Sequence, residues 1–234
     1  MRRTEPLIRR FYRPEDHPYR IFERTVLATV PPRSLVLDAG CGTQSQVGAL
    51  LAGNGARVLG VDLVDRGDPR ISFAKSDLEH IPLRNASVDL VVSRSVMEHV
   101  RNPLIVWREV ARILKPGKSF VFLTPNLFDY VSLIAKAIPN KLHGPIVRFA
   151  EGRAEQDVFP TMYRSNTPRA VRKLARNSGF EEPSIQYLTQ YPSALCFSRI
   201  AFLLGVGYER FARMRPLRFL QPWLLVVAKR PPIT

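Results

Sequence analysis

LVLDAGCGTQSQVGALLAGNGARVLGVDL, residues 35–63, is the stretch that decides the fold of this chain. An apolar strand at 35–37 ends on Asp38, and a tight turn of small residues follows at 39–43. A helical stretch comes next, and Asn54-Gly55 breaks it before a second buried strand that ends on Asp62. This order of strand, glycine turn, helix, strand and acid predicts a βαβ unit with a ligand site where the two strands end.

The glycine turn distinguishes between two kinds of ligand. Gly40 and Gly42 allow backbone to approach a ligand where a Cβ would collide. A dinucleotide-binding turn reads G-x-G-x-x-G, and here the third glycine position is Ser45. Asp38 stands directly before the glycines, where a carboxylate would repel a pyrophosphate but suit an ammonium group. The turn therefore favours S-adenosylmethionine (AdoMet), which carries an amino acid end and a sulfonium where a dinucleotide carries its phosphates.

The motifs that follow carry a family resemblance. Residues 35–126 resemble the class I AdoMet-dependent methyltransferases of the small-molecule branch, over roughly the middle 40% of the chain. One departure stands at Gln44, where members of that family usually carry glycine. The matching segments, in chain order, are VLDAGCGT at 36–43, GVDL at 60–63, SDL at 76–78, IPL at 81–83, SVDLVV at 87–92, MEHVRNP at 97–103, LKPGK at 114–118 and the strand at 120–123.

The resemblance implies a fold and a set of cofactor contacts. The fold is an α/β, Rossmann-like, seven-stranded, mostly parallel sheet with helices on both faces and an antiparallel last strand. Asp62 would bind the ribose, Asp77 and Leu78 the adenine, and Asp38 with the 40–42 backbone the methionine end. The full set of predicted cofactor-binding residues is Asp38, Ala39, Gly40, Cys41, Gly42, Asp62, Leu63, Asp77, Leu78 and Ser93.

The segment after the fourth strand bears on the acceptor. It lacks the Asn/Asp-Pro-Pro-aromatic motif typical of methylation at amide or base nitrogens, which favours hydroxyl or other small-molecule acceptors. Its Glu-His-Val run is similar to the ubiquinone-type O-methyltransferases. Those enzymes carry a further glutamate where this chain has Ser95, so we predict no metal site. His99 is the candidate general base, because an imidazole titrates near neutrality; a purely structural histidine is the alternative.

Composition adds a second constraint. The 234 residues carry 35 basic and 20 acidic side chains, a formal net charge of +15, with a pI near 10.6. Such a charge favours an acidic partner, whether nucleic acid, an anionic membrane surface or a phosphorylated substrate, and a solvated surface is the alternative. Two distant cysteines give no disulfide or zinc spacing. Without a signal peptide or an apolar run of spanning length, we expect a cytoplasmic protein, with peripheral membrane association left open.

We predict a single domain, 1–234, with three additions to the minimal fold. Residues 1–33 form an N-terminal helical cap with a helix at 19–30. In the resembled family a leading helix with aromatic residues often closes over the cofactor, so Tyr12 and Tyr19 are candidates for that role, and plain packing is the alternative. Residues 127–166 form an acceptor lid, and 191–222 an apolar and basic insertion suited to an interface with anionic lipid or to packing. Polar lid candidates are His143, Glu155, Asp157, Tyr163 and Arg164; arginines that could bind an acidic acceptor group are Arg148, Arg153 and Arg164.

The sequence thus predicts AdoMet-dependent methyl transfer to a small-molecule acceptor, at a hydroxyl oxygen, with a lipid-linked or glycan acceptor compatible with the basic insertion. An RNA methyltransferase is one alternative, which the charge supports but no dedicated binding module does. A catalytically silent fold that binds a membrane or partner is another, and Gln44 and Ser95 are the residues that permit it. Oligomeric state stays open.

Overall fold

A computed structural model describes residues 4–31, 33–64, 69–137 and 160–233. The strands are β1 Leu35–Ala39, β2 Arg57–Asp62, β3 Ser72–Lys75, β4 Val88–Arg94, β5 Leu114–Pro125, β6 Ser184–Leu188 and β7 Trp223–Lys229. The helices are α1 Glu5–Phe11, α2 Pro18–Thr29, α3 Gln46–Gly53, α4 Pro103–Ile113, α5 Tyr130–Ala137, α6 Pro168–Asn177 and α7 Arg199–Ala212, with 3-10 turns at Pro14–Asp16, Ser193–Leu195 and Arg215–Leu220. In this part of the chain, no helix is long and apolar enough to cross a membrane.

The strands form one sheet in the order β3-β2-β1-β4-β5-β7-β6. Strands β1 to β5 run parallel, while β7 is antiparallel to both of its neighbours. The predicted seven-stranded, mostly parallel sheet with an antiparallel last strand is confirmed. Because β2 and β4 lie on opposite sides of β1, the strand order reverses there, and a ligand crevice opens at the carboxyl ends of these strands.

Side chains that alternate along the strands build a core on each face of the sheet. In β1, Val36 belongs to the core on one face, which includes Phe22 and Val26 of α2, while Leu37 belongs to the other. Trp107 of α4 is fully buried in that second core. Its ring packs edge-on against Phe120 at 5.4 Å between centroids. The helical spacing of Leu104, Trp107, Val110, Ala111 and Leu114 predicts that Trp107 is a core residue, and this prediction is confirmed.

Helix α4 ends earlier than its sequence predicts. Pro116-Gly117 predicts the end of the helix, and this prediction is wrong, because α4 ends at Ile113 and β5 begins at once with Leu114. Leu114 pairs with Val88 of β4, so sheet pairing replaces the next helical turn. Gly117 lies inside β5 with a φ of +74°, where its N–H donates to the Arg230 carbonyl at 3.0 Å.

Asn102-Pro103 predicts the start of α4 with Asn102 as its cap. The start is confirmed, because α4 begins at Pro103, but the side-chain cap does not form. Asn102 occupies the capping position, but its side chain makes no hydrogen bond to the helix backbone. Its Nδ2 donates instead to Glu79 Oε1 at 3.0 Å, which ties the helix start to the loop after β3. Thr167-Pro168 predicts the same kind of cap for α6, and this prediction is confirmed, because Thr167 Oγ1 accepts from the Ala170 N–H at 3.2 Å.

Candidate active site

The turn after β1 lies at the centre of the crevice. The N–H groups of Gly40 and Cys41 donate to the Val61 carbonyl of β2, at 2.8 and 3.2 Å. Gly40 has a φ of +76°, and a Cβ there would lie 2.3 Å from Cγ2 of Val96, so its missing side chain is required by protein packing. Gly42 has a φ of +63°, and a Cβ there would meet nothing within 4 Å. The open face of the turn is therefore at Gly42.

Asp62 joins this turn to the end of β2. Its Oδ2 accepts from the Gly42 N–H at 2.8 Å, and its Oδ1 accepts from the Val64 N–H at 3.1 Å. Each carboxylate oxygen has a second lone pair, so both can still accept from ligand hydroxyls. Leu63, the next residue, is 55% exposed. A fixed carboxylate beside an open glycine turn and an exposed apolar side chain suits a ribose and its base.

Asp38 is buried next to the end of β1. It is only 3% exposed, and its Oδ2 accepts from the Gly48 N–H of α3 at 2.9 Å. Burial raises the pKa of Asp38 to about 6, against the lowering effects of this hydrogen bond and of the Arg94 charge. Ala39, which follows it, is buried at the end of β1. Asp38 thus connects β1 to α3 beneath the turn.

The loop after β3 lies next to Asp62. The Ser76 N–H donates to the Asp62 carbonyl at 3.0 Å. Asp77 is exposed and its Oδ1 accepts from the Glu79 N–H at 2.9 Å, while Leu78 is buried. The structure therefore brings the predicted ribose and adenine residues to one edge of the sheet.

Ser93 lies one residue before the end of β4. The apolar run at 88–92 predicts that the strand ends at Ser93, but β4 continues to Arg94, and Ser93 pairs with Phe122 of β5. Its side chain is 1% exposed, and its Oγ has no hydrogen-bond partner among the described residues. The strand end that faces the crevice is Arg94, because pairing with β5 extends β4 by two residues beyond the apolar run.

Arg94 is a site residue that the sequence reasoning missed. Its guanidinium donates to Gln46 Oε1 at 2.7 Å and to Glu23 Oε1 at 3.4 Å. It also lies 4.5 Å from the ring centroid of Tyr19. These contacts join the end of β4 to the start of α3 and to α2. The sequence signal that could have identified Arg94 is a basic residue at the end of a buried strand.

The N-terminal cap reaches the same strand end. Tyr19 Oη and Ser95 Oγ are 3.2 Å apart and share a hydrogen bond. The Tyr19 ring packs edge-on against Trp223 of β7 at 5.7 Å. Ser95, where the ubiquinone-type enzymes carry glutamate, thus contacts a tyrosine of the cap. Within residues 4–31, 33–64, 69–137 and 160–233, no group of three or more histidine, cysteine or acidic side chains could hold a metal.

A buried hydrogen-bond network connects the segment after β4 with the end of β5. Glu98 is 4% exposed, and its Oε2 accepts from Thr124 Oγ1 of β5 at 3.0 Å. Thr124 Oγ1 in turn accepts from Asn166 Nδ2 at 2.8 Å. Burial raises the pKa of Glu98 to about 7, although the Thr124 bond lowers it. Glu98 was overlooked because a sequence does not show how deeply a carboxyl is buried.

His99 is half-exposed beside this network. Its Nδ1 lies 3.1 Å from the Pro160 carbonyl, and its Nε2 lies 3.9 Å from Glu98 Oε1. A carbonyl only accepts hydrogen bonds, so Nδ1 carries the proton in the neutral ring and Nε2 is the nitrogen that can accept one. The orientation of His99 is therefore compatible with a general base.

Of the residues predicted to lie in the acceptor lid and to bind an acidic acceptor group, two belong to the part of the chain that the structure describes. The Tyr163 N–H donates to the Glu98 carbonyl at 3.1 Å, which places Tyr163 beside the buried network. Arg164 donates to the Arg101 carbonyl at 2.7 Å, so it tethers the loop before α4. The candidates His143, Arg148, Arg153, Glu155 and Asp157 lie outside the described residues.

Two acidic side chains are buried, one directly before α5 and one within α7. Asp129 is 3% exposed and Glu209 is 2% exposed. Burial raises the pKa of Asp129 to about 6, and burial with repulsion from Asp129 raises that of Glu209 to about 8. Tyr130 and Tyr208 pack edge-on above them, 5.0 Å between ring centroids. At neutral pH the Glu209 carboxyl is therefore mainly protonated.

The sheet order, the glycine turn, and Asp38 and Asp62 at or next to the ends of β1 and β2 are typical of class I S-adenosylmethionine-dependent methyltransferase domains. Residues 37–122 match the family profile described as a methyltransferase domain. A probable S-adenosylmethionine-dependent methyltransferase of Mycolicibacterium smegmatis is 37% identical over 41% of this chain and 39% of its own. The ubiquinone biosynthesis O-methyltransferase of Paracidovorax citrulli is 34% identical over 39% of this chain and 43% of its own.

The chain therefore spans about two fifths of the length of these two relatives. A solved structure, a chain of the Haloferax volcanii complex that contains the Trm112 methyltransferase activator, shares the fold over most of the length. It is 21% identical, covers 99% of this chain and 97% of its own, and superposes with a TM-score of 0.60. The similarity to this solved structure shows the fold alone. The family match supports AdoMet as the cofactor, and the open glycine turn and Asp62 are suited to bind it.

Proposed function

We propose that this protein transfers a methyl group from AdoMet to a hydroxyl oxygen of a small, lipid-linked acceptor. The observation that carries the proposal is one juxtaposition. The open turn at Gly42 with Asp62 lies at the carboxyl ends of β1 and β2, and His99 with Glu98 follows β4 beside them. One half of the crevice suits a nucleoside, and the other half offers proton acceptors.

AdoMet would supply an electrophilic methyl group on a sulfonium. Asp62 would accept from the ribose hydroxyls, and the exposed Leu63 and the Asp77-Leu78 turn would contact the adenine. Transfer to oxygen requires that the acceptor hydroxyl lose its proton. His99 Nε2 would take that proton while its Nδ1–H stays bonded to Pro160, which fixes the ring. Much of the rate would come from alignment of the reactants.

Glu98 has a supporting role in this proposal. Its carboxyl is buried, and since its pKa is raised to about 7, about half of it is still protonated near pH 7. Through Thr124 and Asn166 it connects the segment after β4 to β5 and to the start of α6. When it ionises, its charge 3.9 Å from His99 Nε2 would stabilise a protonated imidazole.

AdoMet binding is the first test. Calorimetry should show that the wild type binds AdoMet and that Asp62→Asn binds it with roughly 10- to 100-fold lower affinity. A loss of this size is expected when hydrogen bonds to a charged acceptor are removed. Glu182→Gln, an exposed carboxyl on the β6 side, is the matched control and should bind as the wild type does. A folded wild type that does not bind AdoMet would exclude the enzyme and favour the silent fold.

The acceptor is tested next. Methyl-labelled AdoMet is incubated with a lipid extract and, separately, with total RNA, and the products are identified by mass spectrometry. A methyl ether in the lipid fraction supports the proposal. Label in RNA, or on nitrogen or carbon, contradicts it while leaving AdoMet binding intact.

A further inference from the structure

Helix α7 presents two faces of different character. The inward face packs on the protein through Phe202, Gly205, Val206, Glu209 and Ala212, spaced three and four residues apart. The opposite face repeats the same spacing with large apolar residues that remain in solvent. Ile200 is 74% exposed and Leu204 71% exposed, and Leu203 and Phe211 follow the same pattern. A surface helix normally places polar residues on this face.

The exposed apolar surface extends beyond α7. Phe219, in the 3-10 turn after the helix, packs edge-on against Phe128 just before α5, with 6.2 Å between ring centroids. Asn126 at the end of β5 donates to the Phe219 carbonyl at 2.6 Å, which fixes this junction to the sheet. We name the whole surface the α5–α7 patch: Phe128, Val131, Leu133, Phe197, Ile200, Leu203, Leu204, Phe211, Met214 and Phe219.

The charged residues around the α5–α7 patch have one sign. The exposed arginines of this segment are Arg199, Arg210, Arg213, Arg215 and Arg218. From residue 199 to residue 233 the sequence contains one acidic residue, Glu209. Its side chain faces inward, 2% exposed. The outer surface of this segment therefore combines large apolar groups with positive charge.

We propose that the α5–α7 patch docks on the surface of an anionic lipid bilayer, with α7 lying in the plane of the membrane. The exposed apolar side chains would enter the boundary between headgroups and acyl chains, while the arginines would pair with lipid phosphates. A second copy of the chain fits the patch less well, because a two-fold contact places the same arginines opposite each other. An anionic membrane can bind both the exposed apolar side chains and the positively charged arginines of the patch.

Docking through the α5–α7 patch would fix the orientation of the crevice relative to the membrane. Asn126 connects the patch directly to the carboxyl end of β5, where the acceptor side of the site begins. A docked protein would thus hold that side near the headgroups. This consequence rests on the proposed function, and it specifies the acceptor as a membrane lipid that presents its hydroxyl at the bilayer surface. Docking itself requires no catalysis.

The test measures vesicle binding by the full chain. The wild type is sedimented with vesicles of phosphatidylglycerol and phosphatidylcholine and with vesicles of phosphatidylcholine alone, at two salt concentrations. We expect binding to the anionic vesicles only, weakened by salt. Arg215→Gln with Arg218→Gln should weaken it about 25-fold, about fivefold for each charge. Ile200→Gln with Leu204→Gln should weaken it by about tenfold or more.

Matched controls lie on other elements. Lys173→Gln with Arg176→Gln removes two exposed charges from α6, and Ile105→Gln removes an exposed apolar side chain from α4. Each control should bind vesicles as the wild type does. Binding that survives both patch variants, or a folded wild type that binds no anionic vesicle, would overturn the proposal. So would a patch variant that changes only the oligomeric state. AdoMet calorimetry on the same preparations separates these outcomes from a failure of the proposed function.

Discussion

Replacing Glu98 with glutamine should change how the stability of this protein depends on pH. Glu98 is buried, and its pKa rises from an ordinary value of 4.5 to about 7 in the folded state. Between these two values the folded protein retains a proton that the unfolded chain has released. The free energy of unfolding therefore falls as pH rises through this window. Glutamine keeps the shape and the acceptor for Thr124 but does not titrate.

The size of the effect follows from the two pKa values. Between about pH 5 and about pH 8, the linkage from this single group lowers the stability of the wild type by about 2.5 kcal/mol. The same group contributes nothing in the variant. The stability of Glu98→Gln relative to the wild type should thus rise by that amount across the interval. Asp38, Asp129 and Glu209 titrate equally in both proteins, so their contributions cancel.

The assay is urea unfolding of both proteins at the two pH values, followed by circular dichroism. Glu182→Gln is the control, because this carboxyl is exposed and its ion pair with Arg172 contributes little. A stability difference between Glu98→Gln and wild type that is the same at both pH values would refute the reasoning. It would mean that the carboxyl of Glu98 is not held neutral by burial.

Three further predictions concern the turn, the base and the cap. Gly40→Ala should destabilise the fold by about 2–4 kcal/mol, from the positive φ and the contact with Val96; urea unfolding should show partial recovery when Val96→Ala is added, and no loss would contradict the packing argument. His99→Gln should lower kcat by roughly 100-fold or more while leaving the calorimetric AdoMet affinity unchanged; an unchanged kcat would assign His99 a structural role. Tyr19→Phe and Ser95→Ala should each cost about 1 kcal/mol of stability and give a non-additive double variant, since they share one hydrogen bond; additive losses would mean that the bond does not contribute.

The fold was largely predictable because its signals are local and repeated. Buried strands such as β1 and β4 read as short apolar runs, and Asp62 ends β2 as the pattern requires. The errors occurred where pairing between distant segments decides the outcome. The junction of α4 and β5 depends on Leu114 meeting Val88, and the extension of β4 to Arg94 depends on its pairing with β5.

The candidate site was predictable in part. His99 and the glycine turn stand in recognisable patterns, and the structure places them at one edge of the sheet. Arg94 and Glu98 were not assigned, because their importance lies in contacts across the chain. Arg94 meets Glu23, 71 residues away, and Glu98 meets Thr124, 26 residues away. Sequence separation of this kind leaves no periodic signal.

The sequence by itself indicated the class of the domain, the cofactor and a mostly parallel sheet with an antiparallel last strand, because the motifs that carry the family resemblance depend on residue type and short-range spacing. Only the tertiary structure decided which polar groups are buried and which apolar groups remain exposed. Glu98 and Glu209 are chemically the same residue as the exposed Glu182, and packing alone makes them poor acids. Ile200 and Phe202 differ by two positions on one helix, yet one faces solvent and the other the core. Desolvation and exposure are properties of the assembled surface, so the pKa values and the proposed lipid-binding surface follow from the fold.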